Sequence, residues 1–351
     1  MLIAQNPYLL VGTYTQKGSE GVYIFRFDSK KGTLVPVSMA KNLKNPSFLA
    51  ISLNQKFIYV VEETAKGRVN AFRFDEKTEQ FVLLNSQEVV GDYPCHVAAD
   101  KTGKWIFTGN YGSGNFSVFP VQADGSLGKA TQTIQHEGKS VNTARQEAPH
   151  VHSVNIGKNN QDIFVVDLGI DKIMSYQLDS NTGKVTPANP AFVEVKAGAG
   201  PRHFAFHPKK KYAYTILELN STIAAFRYEN SKLTQFQTIS TLPETYKGEN
   251  SCADIHVSED GKFLYGSNRG HNSIAVYNIN QKTGELTLIQ YQSVEGQAPR
   301  NFAIDPSGNF LLVANQNTDN ITIFKRDKQT GKLTYTGNEV KVSMPVCLKF
   351  R

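Results

Sequence analysis

Apolar residues along this chain come in short bursts. Phe57-Ile-Tyr-Val-Val61, Val69-Asn-Ala-Phe-Arg-Phe74, Asp162-Ile-Phe-Val-Val166 and Ile321-Thr-Ile-Phe324 are four to six residues each, rich in β-branched and aromatic side chains, and bounded by Gly, Asn, Asp or Lys. Such runs predict strands. No stretch of comparable length carries a 3.6-residue apolar stripe with caps, so helices are expected to be few or absent and the chain all-β.

The runs are punctuated by a repeated phrase: an acidic or amide residue, a few small polar residues, then an apolar residue that opens a strand. It runs Asp28 to Leu34, Asp75 to Phe81, Asp124 to Leu127, Asp179 to Val185, Asn230 to Leu233, Asn280 to Leu286 and Asp327 to Leu333. The apolar residues are 47, 46, 58, 48, 53 and 47 positions apart, a period near fifty that marks repeat architecture. Each unit also opens on a shared cue: Pro46, Pro94, Pro149, Pro201, Ser251 and Pro299, with Pro suited to the first residue of a strand. A strand, a Lys- or Gly-containing turn, a second strand, a loop, a third strand, the Asp turn and a fourth strand follow. Four strands per unit and seven units predict a seven-bladed β-propeller.

The termini predict how the ring closes. Pro345-Val-Cys-Leu-Lys-Phe350 matches a first strand, and Tyr8-Leu-Leu-Val-Gly12 matches a second, so one blade is assembled from both ends of the chain. That removes two sheet edges. A closed ring makes residues 1–351 one domain despite a length that would otherwise suggest two or three.

Composition narrows the class. With 40% apolar and 20% charged residues the chain reads as an ordinary soluble protein, and no run of about eighteen apolar residues exists to span a membrane as a helix. Met1-Leu-Ile-Ala-Gln-Asn-Pro7 lacks a basic start and a long apolar stretch, so a cytoplasmic location is expected. The three cysteines, Cys95, Cys252 and Cys347, fall near the starts of three units and read as small core residues rather than a disulfide framework. A net charge of +7 points to an anionic partner. Lys and Arg are scattered through turns, with only Lys209-Lys-Lys211 clustered, and neither a recognition helix nor an aromatic-basic platform is visible; nucleic acid is therefore disfavoured against a small anion.

In an antiparallel blade the end of strand two lies beside the start of strand one, so two residue sets meet at one mouth of the channel. The second-strand ends are Thr13, Glu62, Asn110, Asp167, Glu218, Asn268 and Asn315. Either they cap backbone groups, as Asn, Asp and Thr do in many loops, or they face a ligand. Glu218 sits amid apolar neighbours, where a raised pKa and a general-base role are expected. The strand-one set holds His150, His152, Arg202, His203, Asp254 and Arg300. An arginine directly after a strand-opening proline, twice, calls for an acidic or anionic partner. His150 and His152 are expected on one face, as an acid-base pair or, with Asp254 from another blade, a metal pair; no local motif announces a metal. The long third interval, Gln135 to Glu147, offers Lys139 and Arg145 to an anion as a lid, or is a plain surface insertion. No Gly-x-Ser-x-Gly elbow occurs, and Gly138-Lys-Ser140 has Thr133 where a phosphate loop needs its first glycine.

Gln146-Glu-Ala-Pro-His-Val-His152, Gly200-Pro-Arg-His203, Glu218-Leu-Asn-Ser-Thr222, Ser267-Asn-Arg-Gly-His-Asn-Ser273 and Ala298 to Gly308 together resemble, over essentially the whole chain, the lactonase family of seven-bladed propellers. That family includes cycloisomerase-type 6-phosphogluconolactonases and carboxymuconate lactonizing enzymes. The resemblance implies a site at a histidine of Pro149-His-Val-His152, Arg202, Glu218 and Arg269, with no cofactor. It implies hydrolysis of a phosphorylated δ-lactone in the pentose phosphate pathway, with Glu218 or a histidine as base, Arg202 and Arg269 as oxyanion stabilisers, and Arg300, His203, Asn268, Lys139 or Arg145 binding substrate. A muconate-type lactonizing reaction and a noncatalytic interaction platform are the alternatives. Oligomeric state is left open.

Overall fold

The computed structural model describes residues 6–351; Met1 to Gln5, which figure in the leader-peptide reading, lie outside the described residues. Twenty-eight strands, numbered β1 to β28 along the chain, form seven four-stranded antiparallel sheets, and no helix occurs among the described residues. The fold is a seven-bladed β-propeller. No helix of the described residues is long and apolar enough to cross a membrane.

Six first strands, β4 (Phe48–Ile51), β8 (Pro94–Ala99), β12 (Val151–Ile156), β16 (Pro201–Phe206), β20 (Ser251–Val257) and β24 (Pro299–Ile304), line the channel with the chain's last strand, β28 (Pro345–Phe350). Each touches the next, and β28 touches β4, so the circle is complete. β28 pairs with β1 (Tyr8–Thr13), which makes the closing blade β28-β1-β2-β3 as the termini predict.

The predicted Asp turns are Asx turns. Asp28 Oδ1 accepts from the backbone N–H groups of Lys30 and Lys31 at 2.9 and 3.0 Å, and Asp327 Oδ1 does the same for Gln329 and Thr330 at 2.7 and 2.9 Å. One unit departs from the pattern. Leu127 only bridges Val121, and the fourth strand of its blade, β11 (Gln132–Gln135), starts five residues later.

Apolar side chains pack between blades. Leu9, Val11, Phe25 and Phe27 of the closing blade meet Phe310, Leu312, Ile321 and Ile323 of its neighbour, with the Phe27 ring 5.6 Å from Phe310 and 5.4 Å from Phe350. Cys95, Cys252 and Cys347 are buried free thiols. Lys209 to Lys211 occupy an exposed turn.

Candidate active site

Every blade but one carries a register shift at the mouth of the channel. Pro94 pairs with Asn110, Val151 with Asp167, Pro201 with Leu217, Pro299 with Asn315 and Pro345 with Thr13, and in these five the next pair skips one residue of the first strand, while in β20 the shift falls between Cys252 and Ile255. The skipped residues are Cys95, His152, Arg202, Arg300 and Val346. A β-bulge leaves its extra residue unpaired and re-aims the side chain, and of these five Cys95, His152 and Arg300 line the cavity at the mouth.

A second rung sits just beyond the end of strand two. The N–H groups of Tyr14, Glu63, Tyr111, Leu168, Glu218 and Gln316 donate to Met344, Asn45, Tyr93, His150, Gly200 and Ala298, the equivalent bond in six blades, and Arg269 opposite Ser251 holds the seventh position. The sequence reading set this rung one residue early in every blade except that of Glu218. A one-residue step in a strand reverses the side chain, so the displaced residues point away from the mouth. They bond internally: Thr13 Oγ1 donates to Gly21 O at 2.8 Å, Asn110 Nδ2 to Asn115 Oδ1 at 2.7 Å and Asn268 Nδ2 to Thr241 O at 2.8 Å. Asn268 bonds these internal partners and does not line the cavity, and Asp167 is held by the His150 N–H and His136.

The two rungs enclose a cavity of about 210 Å³ lined by Glu63, Cys95, Tyr111, Arg145, His152, Glu218, Ser251, Arg269 and Arg300. It opens into a wider vestibule that shares Ser251, Arg269 and Arg300 and is otherwise lined by residues such as Asn272, Gln297 and Gln316. Gly200, in left-handed geometry at φ +62, accepts at its C=O from the Glu218 N–H and donates its N–H to Asp171; a Cβ there would stand 2.6 Å from Leu219.

Glu218 is the hub. Its Oε2 lies 2.9 Å from Arg202 Nε and 3.0 Å from Arg269 Nη2, and its Oε1 accepts from Arg145 Nη2 at 2.7 Å. Burial alone would raise its pKa, but Arg269, Arg202 and Arg145 outweigh burial and hold it down at about 2. The expected raised pKa is thus reversed. A carboxylate so firmly ionised is a poor proton acceptor, and Glu218 orders the guanidinium groups instead.

Arg202, 2% exposed, is closed off behind Glu218 and does not line the cavity. Its Nη1 donates to Ala253 O at 2.6 Å and lies 3.3 Å from His203 Nε2, while its contact with Glu218 is an ion pair without hydrogen-bond alignment. Burial, Arg269 and Arg300 bring its pKa down to about 10, so it stays protonated at neutral pH. His203 lies deeper, donating from Nδ1 to Asp254 Oδ1 at 2.7 Å, and burial and Arg202 lower its pKa to about 4. Neither residue lines the cavity.

Arg300 and Arg269 line it. The Arg300 guanidinium stacks over the Tyr14 ring at 5.2 Å and donates to no protein acceptor among the described residues. Burial disfavours its charge, yet Tyr14, Glu63 and Glu218 together raise its pKa. Arg269 Nη2 also donates to Cys252 O at 2.9 Å.

The histidines separate. His152 lines the cavity as a bulge residue, kept neutral by burial, Arg202, His203 and Arg300. His150 precedes its strand, stacks on Tyr111 at 4.4 Å and bonds through Nδ1 to Tyr111 O at 2.9 Å. Both rings contact Tyr111, at 4.4 and 5.5 Å, but only His152 lines the cavity, and no group of three or more His, Cys, Asp or Glu with metal-ligand geometry exists among the described residues.

The Gln135 to Glu147 segment is fastened down rather than free to swing. His136 Nδ1 donates to Asp167 at 2.7 Å, Ser140 Oγ to Asp171 at 2.5 Å and Gln146 Nε2 to Leu168 O at 2.8 Å. The segment delivers Arg145 to Glu218; Lys139 stays exposed and away from the cavity.

Residues 8–350 match the family model of the seven-bladed β-propeller lactonases. The chain belongs to the lactonase family. It is an enzyme of lactonase type, 40% identical over 343 residues to a 6-phosphogluconolactonase of Bacillus subtilis, covering 97% of each chain. A 6-phosphogluconolactonase of Formosa agariphila is 38% identical over 310 residues, 85% of this lactonase and 86% of the relative. The periplasmic gluconolactonase of Pseudomonas aeruginosa superposes with a TM-score of 0.93 at 35% identity, covering 98% of each chain.

Proposed function

We propose that this lactonase hydrolyses 6-phospho-D-glucono-1,5-lactone to 6-phosphogluconate, a step of the pentose phosphate pathway, in the cytoplasm. The observation that carries the reading is the charge balance at the channel mouth. Arg145, Arg269 and Arg300 line the cavity of about 210 Å³ with Glu63 and Glu218, and Arg202 stands behind Glu218, so the four guanidinium groups exceed the two carboxylates by two positive charges. A phosphomonoester carries close to two negative charges at neutral pH. Fixed guanidinium groups also supply what ring opening needs most, a preorganised donor where the carbonyl oxygen becomes an oxyanion, worth about 3 to 4 kcal/mol.

Arg300, unpaired and facing the cavity, and Arg269 are assigned to the substrate's anionic groups. Arg202, shut behind Glu218, serves as a positioning residue. A dicarboxylate also carries two charges, so the muconate-type lactonizing reaction is the second reading. Purified protein given freshly made 6-phosphogluconolactone or a carboxymuconate, each with and without chelator, separates them. Hydrolysis of the lactone above its spontaneous rate, unaffected by chelator, and no turnover of the muconate are expected. Turnover of the muconate alone would overturn the reading. The cytoplasmic placement, in contrast to the periplasmic Pseudomonas relative, is checked by fractionation.

A further inference from the structure

The cavity sits between two carboxylates in opposite circumstances. Glu218 is neutralised by three guanidinium groups within 3.0 Å. Glu63 occupies the same rung, its N–H bonded to Asn45 O as Glu218 is bonded to Gly200 O, yet no Lys, Arg or His nitrogen lies within ion-pair distance of it among the described residues. Among the described residues its only side-chain partner is the Tyr14 hydroxyl, 3.0 Å from both oxygens. A single phenol proton shared between two carboxylate oxygens leaves most of their lone pairs open. Glu63 lines the cavity, half-buried, with Arg300 stacked over the ring of the same tyrosine.

The geometry points to Glu63 as the general base that activates the attacking water, an assignment that rests on the lactone-hydrolysing reading above. A water in the cavity beside Glu63 gives a proton to the free carboxylate oxygen while its own oxygen bonds to the lactone carbonyl carbon. The carbonyl π pair moves onto oxygen, where Arg269 meets the developing charge. Collapse of that intermediate breaks the ring C–O bond, and the departing ring oxygen takes the proton back from Glu63. The hydroxy acid formed then loses its carboxylic proton to solvent. Tyr14 acts as a positioning residue, fixing the carboxylate plane and supporting the Arg300 guanidinium. The other cavity groups fit the role less well: Glu218 is saturated, the His152 imidazole is a weak base, and burial pushes the Cys95 thiol up.

The test is steady-state kinetics on 6-phosphogluconolactone with the full chain and the variants Glu63→Gln, Glu63→Ala and Glu63→Asp, after subtraction of spontaneous hydrolysis. Glu63→Gln keeps an acceptor for Tyr14, so binding is expected to persist, with KM within about threefold and kcat down by about 100-fold or more. Added formate is expected to restore part of the Glu63→Ala rate, which a merely structural loss would not allow. Glu63→Asp, which keeps the charge but draws it back, is expected to lose at least about tenfold in kcat. A Glu63→Gln enzyme with more than half the wild-type kcat, a loss confined to KM, or a Glu63→Ala enzyme deaf to formate would overturn the assignment while leaving the lactonase reading intact. A wild-type protein that does not accelerate lactone hydrolysis would remove both.

Discussion

Replacing Glu218 by Gln removes the one charge that three guanidinium groups share, and the cost is readable from the structure. The folded pKa of about 2 stands against an ordinary value of 4.5. At about 1.4 kcal/mol per pH unit that displacement is worth roughly 3 kcal/mol. Arg202, 2% exposed, loses its only carboxylate contact and is left as an uncompensated buried charge, a change that typically costs about 3 to 5 kcal/mol. The two routes describe the same interaction and agree. Because the folded pKa lies below the unfolded one, the stabilisation is complete above about pH 4.5 and disappears as the pH falls through about 2. The gap between wild type and Glu218→Gln in urea unfolding is therefore expected to be about 3 kcal/mol at pH 7 and to shrink to roughly 2 kcal/mol at pH 3.5. A gap under about 1 kcal/mol at pH 7, or one that does not narrow in acid, would refute the reasoning.

Three further outcomes follow from particular contacts. Deleting residues 345–351 removes β28, whose Val346 and Leu348 are 2% and 1% exposed, and leaves the edge of β1 unpaired; a loss of at least about 3 to 6 kcal/mol and of cooperative unfolding is expected, checked by calorimetry. Gly200→Ala places a Cβ 2.6 Å from Leu219 at φ +62, so a destabilisation of about 1 to 3 kcal/mol is expected in denaturant titrations, with kcat falling because Glu218 hangs on the Gly200 carbonyl. His150→Ala is expected to keep kcat within about threefold of wild type, and His152→Ala to lose about tenfold or more, since only His152 lines the cavity; equal losses would show that the bulge does not select between them.

The blades were legible in the sequence because two local signals agree: short β-branched runs and Asp or Asn turns that donate nothing and accept two backbone N–H groups. Where a unit lacked one, as after Leu127, the strand boundary was missed. The closing blade was legible because β28 and β1 each match half of the repeat.

The site was half legible, for a geometric reason. A bulge adds one residue without altering composition, so Pro149-His-Val-His152 looked like a unit beginning at Pro149, whereas the pairing starts at Val151 and puts His152, not His150, beside Arg202 and Arg300 in the pattern. Likewise Glu62 and Glu63 are adjacent, and the wrong member was taken; Tyr14 and Tyr111, also one step beyond Thr13 and Asn110, were missed with it. The alternation of strand faces was the available signal. Glu218 was misjudged differently. Its apolar sequence neighbours suggested a raised pKa, while its actual surroundings are Arg145 from a distant loop, Arg202 across the hairpin and Arg269 from the next blade. Charge environment is a property of the assembled ring.

The account stands on Arg300 and its neighbours recognising a phosphorylated lactone at the channel mouth. The most direct measurement is kcat/KM for 6-phosphogluconolactone and for unphosphorylated gluconolactone in wild type and Arg300→Ala. A charge-assisted contact of about 1.5 to 3 kcal/mol gives a wild-type preference for the phosphorylated lactone of about tenfold or more, and that preference is expected to collapse in the variant. A preference that survives the loss of Arg300, or a wild type that treats both lactones alike, would contradict it.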